Sequence, residues 1–163
     1  MKTRDATESD VVAMYAVDRA AAEEGSRRHQ IREWVDARQA IVALVDEVVV
    51  GYAVLEYTFF SNGFISMLIV DGASRRQGIA TALVRHLEKA CVTNKLFTST
   101  NESNEPMQGL MHSMSYEPSG TVYNLDEGDP ELFYVKRLPK KRYPAATADS
   151  VDGTAKLNVK DVS

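Results

Sequence analysis

The chain has a single cysteine, Cys91, among its 163 residues, and only three histidines. One thiol cannot close an internal disulfide, and a cysteine-based zinc site lacks ligands, so a reducing, cytoplasmic setting is expected. Cys91 follows Leu83 and Leu87 at helical spacing, which assigns it to packing rather than to nucleophilic chemistry. His29, His86 and His112 stand apart without metal-ligand spacing, and no metal is expected. No apolar run approaches the ~20 residues that cross a bilayer, and Met1 to Glu8 is polar, so neither a membrane partner nor a secretory leader is expected. Basic charge is also short: 19 Lys and Arg against 23 Asp and Glu leave a net charge of −4. That balance argues against nucleic acid as a partner and favours a cationic or neutral one. Neither G-x-G-x-x-G nor G-x-x-x-x-G-K-S/T occurs, which removes the two common nucleotide fingerprints.

What is present is the composition of one soluble globular domain, 44% apolar and 26% charged. The apolar pattern lapses after Leu138 into Ala, Thr, Asp, Ser and Lys. Residues 1–138 are therefore expected to form the domain and 139–163 a mobile tail. The basic cluster Lys136-Arg137 with Lys140-Lys141-Arg142 reads as a solvated charge run at that junction.

Along the chain, Lys2 to Ala6 reads as a short strand, and Thr7 with Asp10 resembles a capping box for a first helix carrying Val11, Met14, Tyr15 and Asp18. The polar patch Glu23 to Ser26, with a break at Gly25, separates it from a second helix carrying Ile31, Trp34 and Val35. Ile41–Val45 and Val48–Phe60 read as a hairpin about Asp46-Glu47, and Ser61-Asn62-Gly63 as a second turn. Phe64–Val70 is apolar except for Ser66, the pattern of a strand covered on both faces. A helix from Gly78 to about Val92, a strand at Leu96–Thr100, a helix with the stripe Met107, Leu110, Met111 and Met114, and two strands at Thr121–Asn124 and Leu132–Leu138 complete the order β-α-α-β-β-β-α-β-α-β-β. This predicts an α/β fold with a mixed, mostly antiparallel central sheet flanked by helices.

One segment carries the chemistry. From Ile69 to Leu83 a strand breaks into a tight basic loop and restarts as a helix, whose first amides have no internal partner and whose dipole is positive there. A Gly at such a turn lets a diphosphate approach closely. The spacing Arg75-x-x-Gly78-x-Ala80, shortly after Val70, resembles the acetyl-coenzyme A loop of the GNAT family of N-acetyltransferases. Asn104-x-x-Met107-x-x-Leu110-Met111-x-x-x-Ser115-Tyr116 is similar to that family's later helix, and the element order agrees over residues 2–138.

The resemblance implies an acyl-CoA N-acyltransferase-like fold with acetyl-CoA as co-substrate. It implies that the main chain of Leu68, Ile69 and Val70 pairs with the pantetheine arm. The amides of Arg76, Gln77, Gly78, Ile79, Ala80 and Thr81 hold the pyrophosphate, with Arg75 and Arg76 near its charge. Asn104 either contacts the pantetheine or caps the Met107 helix. The reaction implied is attack by a neutral amine on a thioester carbonyl. Here the chain departs from the family pattern, with Met111 where a tyrosine acid often stands and Ser66 where many members place a carboxylate. Glu56 is the remaining candidate base, or else a solvent-facing strand residue, and Tyr57, Tyr116 and Tyr134 are either pocket aromatics or core. Asp126, Glu127 and Asp129, in the turn joining the last two strands, either attract a cationic acceptor or simply build the turn. The expected acceptor is a small-molecule amine or amino-acid derivative. A protein N-terminus or lysine, and a non-catalytic acetyl-CoA sensor, are the alternatives. Pairing of two copies is common among proteins resembling this one, so a homodimer is a further expectation.

Overall fold

A computed structural model describes residues 1–139; residues 140–163, nearly all of the expected tail, lie outside the described residues. The elements are β1 (Lys2–Asp5), α1 (Val11–Val17), α2 (Arg19–Glu23), α3 (Gly25–Asp36), β2 (Ala40–Val45), β3 (Val48–Phe59), β4 (Asn62–Val70), α4 (Ile79–Ala90), β5 (Lys95–Asn101), α5 (Glu105–Ser113), β6 (Glu117–Val122) and β7 (Glu131–Arg137). Seven strands form one sheet in the order β1-β2-β3-β4-β5-β7-β6. Every neighbouring pair is antiparallel except β4 and β5. This is the mixed, mostly antiparallel sheet that the element order predicts.

Alternation along β3 divides the core into two layers. Tyr52 and Val54 point to one face, where Val11, Met14, Ile31 and Trp34 of the first helices cover them. Ala53 and Leu55 point to the other, under Ile79, Leu83 and Leu87 of α4 and Met111 of α5. Each fully buried aliphatic side chain in these layers stabilises the fold by roughly 2 kcal/mol.

Three boundaries differ from the sequence reading, each because of a distant partner. The first helix breaks at Asp18, where the backbone is extended and the carboxylate accepts the amide of Ala20 at 3.0 Å and the hydroxyl of Tyr52. The β3–β4 turn sits at Phe60 and Ser61, with φ of 48° and 58°, so that Asn62 and Gly63 already belong to β4. Gly63 is needed for packing: a Cβ there would lie 2.5 Å from Cys91 Sγ. The sixth strand starts at Glu117, earlier than expected, directly after the buried Tyr116, and its Pro118 is tolerated because β6 is an edge strand. The hairpin turn at Asp46-Glu47 is as expected, both residues having positive φ.

β1 is tied to the first helix through Asp10. Arg4 reaches its carboxylate with both terminal nitrogens, at 2.7 and 2.8 Å, while the Thr7 amide and hydroxyl approach at 2.8 and 2.9 Å. The Arg4 contact is the largest influence and outweighs burial, so the Asp10 carboxyl is held down from an ordinary 3.8 to about 2. A pKa depressed in the folded state gives stability that is present above about pH 4 and is lost as pH falls toward 2. Asp10→Asn is expected to cost about 2 kcal/mol at neutral pH and to flatten the loss of stability through that acid window. Urea midpoints of both proteins from pH 7 to pH 2 test this, and parallel curves would refute the assignment.

Candidate active site

β4 is the strand around which a site can be built. It pairs with β3 along nearly its whole length, from Asn62 to Val70. With β5 it pairs only from Gly63 to Ile65, opposite Leu96 to Thr98. The register with β3 shifts between Ile65 and Met67, making Ser66 a bulge, and a bulge bends its strand. At the last rung the buried Thr98 hydroxyl donates to the Ile65 carbonyl at 3.1 Å, so a side chain closes the ladder. Beyond it the strands part. Met67 to Val70 are therefore only half-buried, although Met67 and Ile69 pack against the core on one face and Leu68 and Val70 against the core on the other, as expected of a strand covered on both faces. Ser66 Oγ is buried without a hydrogen-bond partner at the point of divergence. The open edge of Leu68, Ile69 and Val70 can take an extended, amide-bearing chain as an added strand.

That edge runs directly into the basic loop. Asp71 accepts from the Ala73 amide at 3.1 Å and lies 3.4 Å from the Ser74 hydroxyl. Arg75, Arg76 and Gln77 are exposed, and Arg76 has a φ of 59°. Gly78 precedes α4 with a φ of 79° and supplies no side-chain cap. A Cβ there would meet nothing within 4 Å, so the residue is required for its left-handed backbone and for the open approach it leaves. Ile79 is buried and anchors the helix, while Ala80 and Thr81 are half-buried. The first turn of α4 contains no acid. Unpaired amides, a positive dipole and two arginines thus converge on the end of the open edge.

The remaining candidates separate. Asn104 caps α5, its side chain accepting the Met107 amide at 3.2 Å, which leaves its NH2 group directed elsewhere. Met111 is fully buried in the core. Of the three tyrosines, Tyr57 uses its hydroxyl to accept the Val92 amide at 3.0 Å, past the end of α4 remote from Gly78. Tyr116 and Tyr134 are buried, and burial together with Glu88 pushes the Tyr116 pKa well up. Glu56 is half-buried on β3 opposite Phe64, on the face of the sheet that α1 and α3 cover. Asp126 and Asp129 tie the β6–β7 connection to the loop after β5: Asn101 donates to Asp126 at 2.8 Å, and Ser103 bonds Asp129 through its amide at 2.9 Å and its hydroxyl at 2.6 Å. Glu127 is exposed beside them.

A polar group that sequence reasoning missed lies on the α1–α3 face. Besides Tyr52, Asp18 faces Arg27, whose Nε is 3.8 Å from its Oδ2. The Arg27 guanidinium lies over the Trp34 ring at 5.8 Å and reaches Met67 Sδ at 3.7 Å, next to the bulge. Burial, then the bond to Asp18, pushes the Tyr52 pKa far up. Tyr52, flanked by aliphatic residues and a glycine at 48–51 and 53–55, was the one local sign of this group.

The comparisons agree with this geometry. The model of the Acetyltransferase (GNAT) family matches residues 9–116. A GNAT-family acetyltransferase from Bacillus cereus is 32% identical, with a TM-score of 0.80 over 85% of this chain and 97% of its own. The yncA protein of Salmonella typhimurium, solved with its cofactor acetyl-CoA, is 18% identical with a TM-score of 0.72, covering 90% of this chain and 98% of that one. A ribosomal-protein-alanine N-acetyltransferase from Brucella melitensis is 23% identical with a TM-score of 0.67, covering 85% and 100%. No match to a curated protein was found. The family match over two thirds of the sequence, on a fold whose one parted strand pair leads to a phosphate-binding turn, makes this chain a member of the GNAT family of acetyltransferases.

Proposed function

We propose that the protein transfers the acetyl group of acetyl-CoA to the primary amine of a small molecule or amino-acid derivative. The observation that carries this reading is the continuity of the open β4 edge with the Gly78 turn. The pantetheine arm lies along Leu68, Ile69 and Val70, and the amides from Arg76 to Thr81 take the pyrophosphate, with Arg75 and Arg76 beside it. Asn104, whose carbonyl oxygen caps α5, turns its NH2 group to the pantetheine.

The chemistry follows from what the site lacks. An ammonium has no lone pair, so the acceptor must lose a proton before attacking the thioester carbonyl. Glu56 receives that proton, directly or through water. The departing thiolate has a conjugate acid of pKa about 8.5 and is a good leaving group near neutrality. Solvent protonates it, since Met111 has no proton to give, Tyr57 uses its hydroxyl at the far end of α4, and Tyr116 and Tyr134 are buried in the core.

Two measurements test this. Acetyl-CoA at a hundred times its dissociation constant is expected to raise stability by about 2.7 kcal/mol, and Gly78→Glu, which sets a carboxylate against the phosphates, to weaken binding about a hundredfold or more. A folded Gly78→Glu protein with parental affinity would remove the loop from the cofactor site. The pH profile of kcat/KM is expected to rise to a plateau without a descending limb near about pH 10, the range of an ordinary tyrosine. Glu56→Gln lowers the rate most at neutral pH and least where the free amine is already abundant; superimposable profile shapes would exclude Glu56 as the base.

A further inference from the structure

Arg27 is the third residue of α3, and its side chain is only 23% exposed. A guanidinium has five N–H donors, and those of Arg27 that find no protein acceptor reach solvent. Two more exposed arginines find strong acceptors. Arg4 forks onto Asp10, and Arg28 donates to the carbonyls of Ala21 and Ala22 at 2.6 and 3.3 Å. For Arg27 the hydrogen-bond acceptor is the thioether of Met67, a weak one. Asp18 neutralises part of its charge from 3.8 Å, beyond hydrogen-bond range, because its two oxygens already serve the Ala20 amide and the Tyr52 hydroxyl. No acid stands in the first turn of α3. The fork is thus held in place by Trp34 and Asp18, with one nitrogen on the Met67 sulfur and the other donors open to a ligand from solvent.

Its position turns this into a question of substrate. Met67 follows the bulge at Ser66, where the sheet parts and where the acetyl group must meet the amine if the acetyl-transfer reading holds. Glu56 lies on the same face of the neighbouring strand, since Val54 is the register partner of Met67 and Glu56 is two residues further along. The bulge at Ser66 lies between the Val54–Met67 and Glu56–Phe64 pairs, so Glu56 and Met67 bracket it on the same face. A cationic fork and a carboxylate therefore flank one short stretch of β4, an arrangement complementary to a molecule that carries an amine and a carboxylate close together.

We infer that Arg27 is an acceptor-binding residue and that the acceptor is an amino acid or a close derivative, its carboxylate paired with the Arg27 guanidinium and its amine directed toward Glu56. This rests on the acetyl-transfer reading for the amine, while the carboxylate contact stands on the Arg27 geometry. The planar fork matches a carboxylate with two parallel hydrogen bonds and displaces the contact with Met67.

The test uses a panel of α-amino acids with small, aromatic and acidic side chains, each paired with its carboxamide, and reads both thiol release and binding to the CoA-loaded protein by calorimetry. The expected result is a preference of at least tenfold in kcat/KM for the free acid among the accepted pairs. Arg27→Met keeps the apolar stem over Trp34 and is expected to abolish that preference through KM, with kcat and acetyl-CoA affinity close to the parent; Arg27→Lys keeps part of it. Equal use or equal binding of acid and amide by the parent protein overturns the inference without any variant, and so does a folded Arg27→Met protein that retains the preference. Binding that favours the carboxylate without acetyl transfer keeps the anchor and overturns the acetyl-transfer reading instead.

Discussion

β4 and β5 are hydrogen-bonded from Gly63 to Ile65 and from Leu96 to Thr98, and no further, so the sheet is joined at one end of this pair and divided at the other. Each end has its own cause. At the closed end Gly63 lets the backbone come against Cys91, the Thr93 hydroxyl accepts the Gly63 amide at 2.9 Å, and Leu96 is fully buried beneath. At the parting end the bulge at Ser66 bends β4 away while Thr98 satisfies the Ile65 carbonyl that a continuing ladder would have used. The two halves stay together because one core spans them: Ile79 and Leu83 of α4 share a cluster with Met111 of α5 and Tyr134 of β7. An open pair inside an otherwise continuous sheet is tolerable only with such bracing, since unpaired backbone groups in the middle of a protein lose water without gaining partners.

Charge is distributed to suit that opening. The chain as a whole is acidic, but the loop at the end of β4 presents Arg75 and Arg76, while its own acid, Asp71, bonds the Ala73 amide. Several ion pairs elsewhere are exposed, such as Arg19 with Glu23 and Arg137 with Glu117, and contribute little. The better covered pairs act as ties. Arg4 and Asp10 fasten β1 to the first helix, and Lys136 to Glu88, at 2.8 Å, fastens β7 to α4. The second tie spans the divided sheet on the side of α4.

What could be read from sequence was what neighbouring residues decide among themselves. The left-handed Gly78, the restart of the helix at Ile79 and the capping by Asn104 depend on a few consecutive residues, and each was legible. The break at Asp18 was not, because it answers to Tyr52, 34 residues away. Nor was the true turn at Phe60 and Ser61, since Gly63 resembles a turn glycine until Cys91 is seen beside it. The continuous apolar stretch of β4 signalled burial on both faces, because a strand pattern records what covers its side chains and says nothing of a neighbour that leaves halfway. Asp126 and Asp129 looked alike as recruiting charges or turn builders, and only their bonds to Asn101 and Ser103 show the work they do in the fold. Arg27 gave no local signal, because its meaning depends on Met67, 40 residues later.

The same distinction explains why the family is easier to recognise than the acceptor. The parted strands and the Gly78 turn offer mostly backbone groups, which survive wide changes of side chain, so a protein 18% identical has this fold and was solved with acetyl-CoA. An acceptor meets side chains instead. In the proposed site those would be Arg27 from α3 and Glu56 from β3, on the opposite face from α4, held by Trp34, Asp18 and the strand register rather than by any short motif. Substituting them would leave the parting of β4 and β5 intact while changing what can be held there. Likeness to an enzyme named for a ribosomal protein's alanine, at 23% identity, therefore shows the fold and not the acceptor. The acceptor has to be argued from the unfilled donors of one guanidinium and the carboxylate across the strand from it.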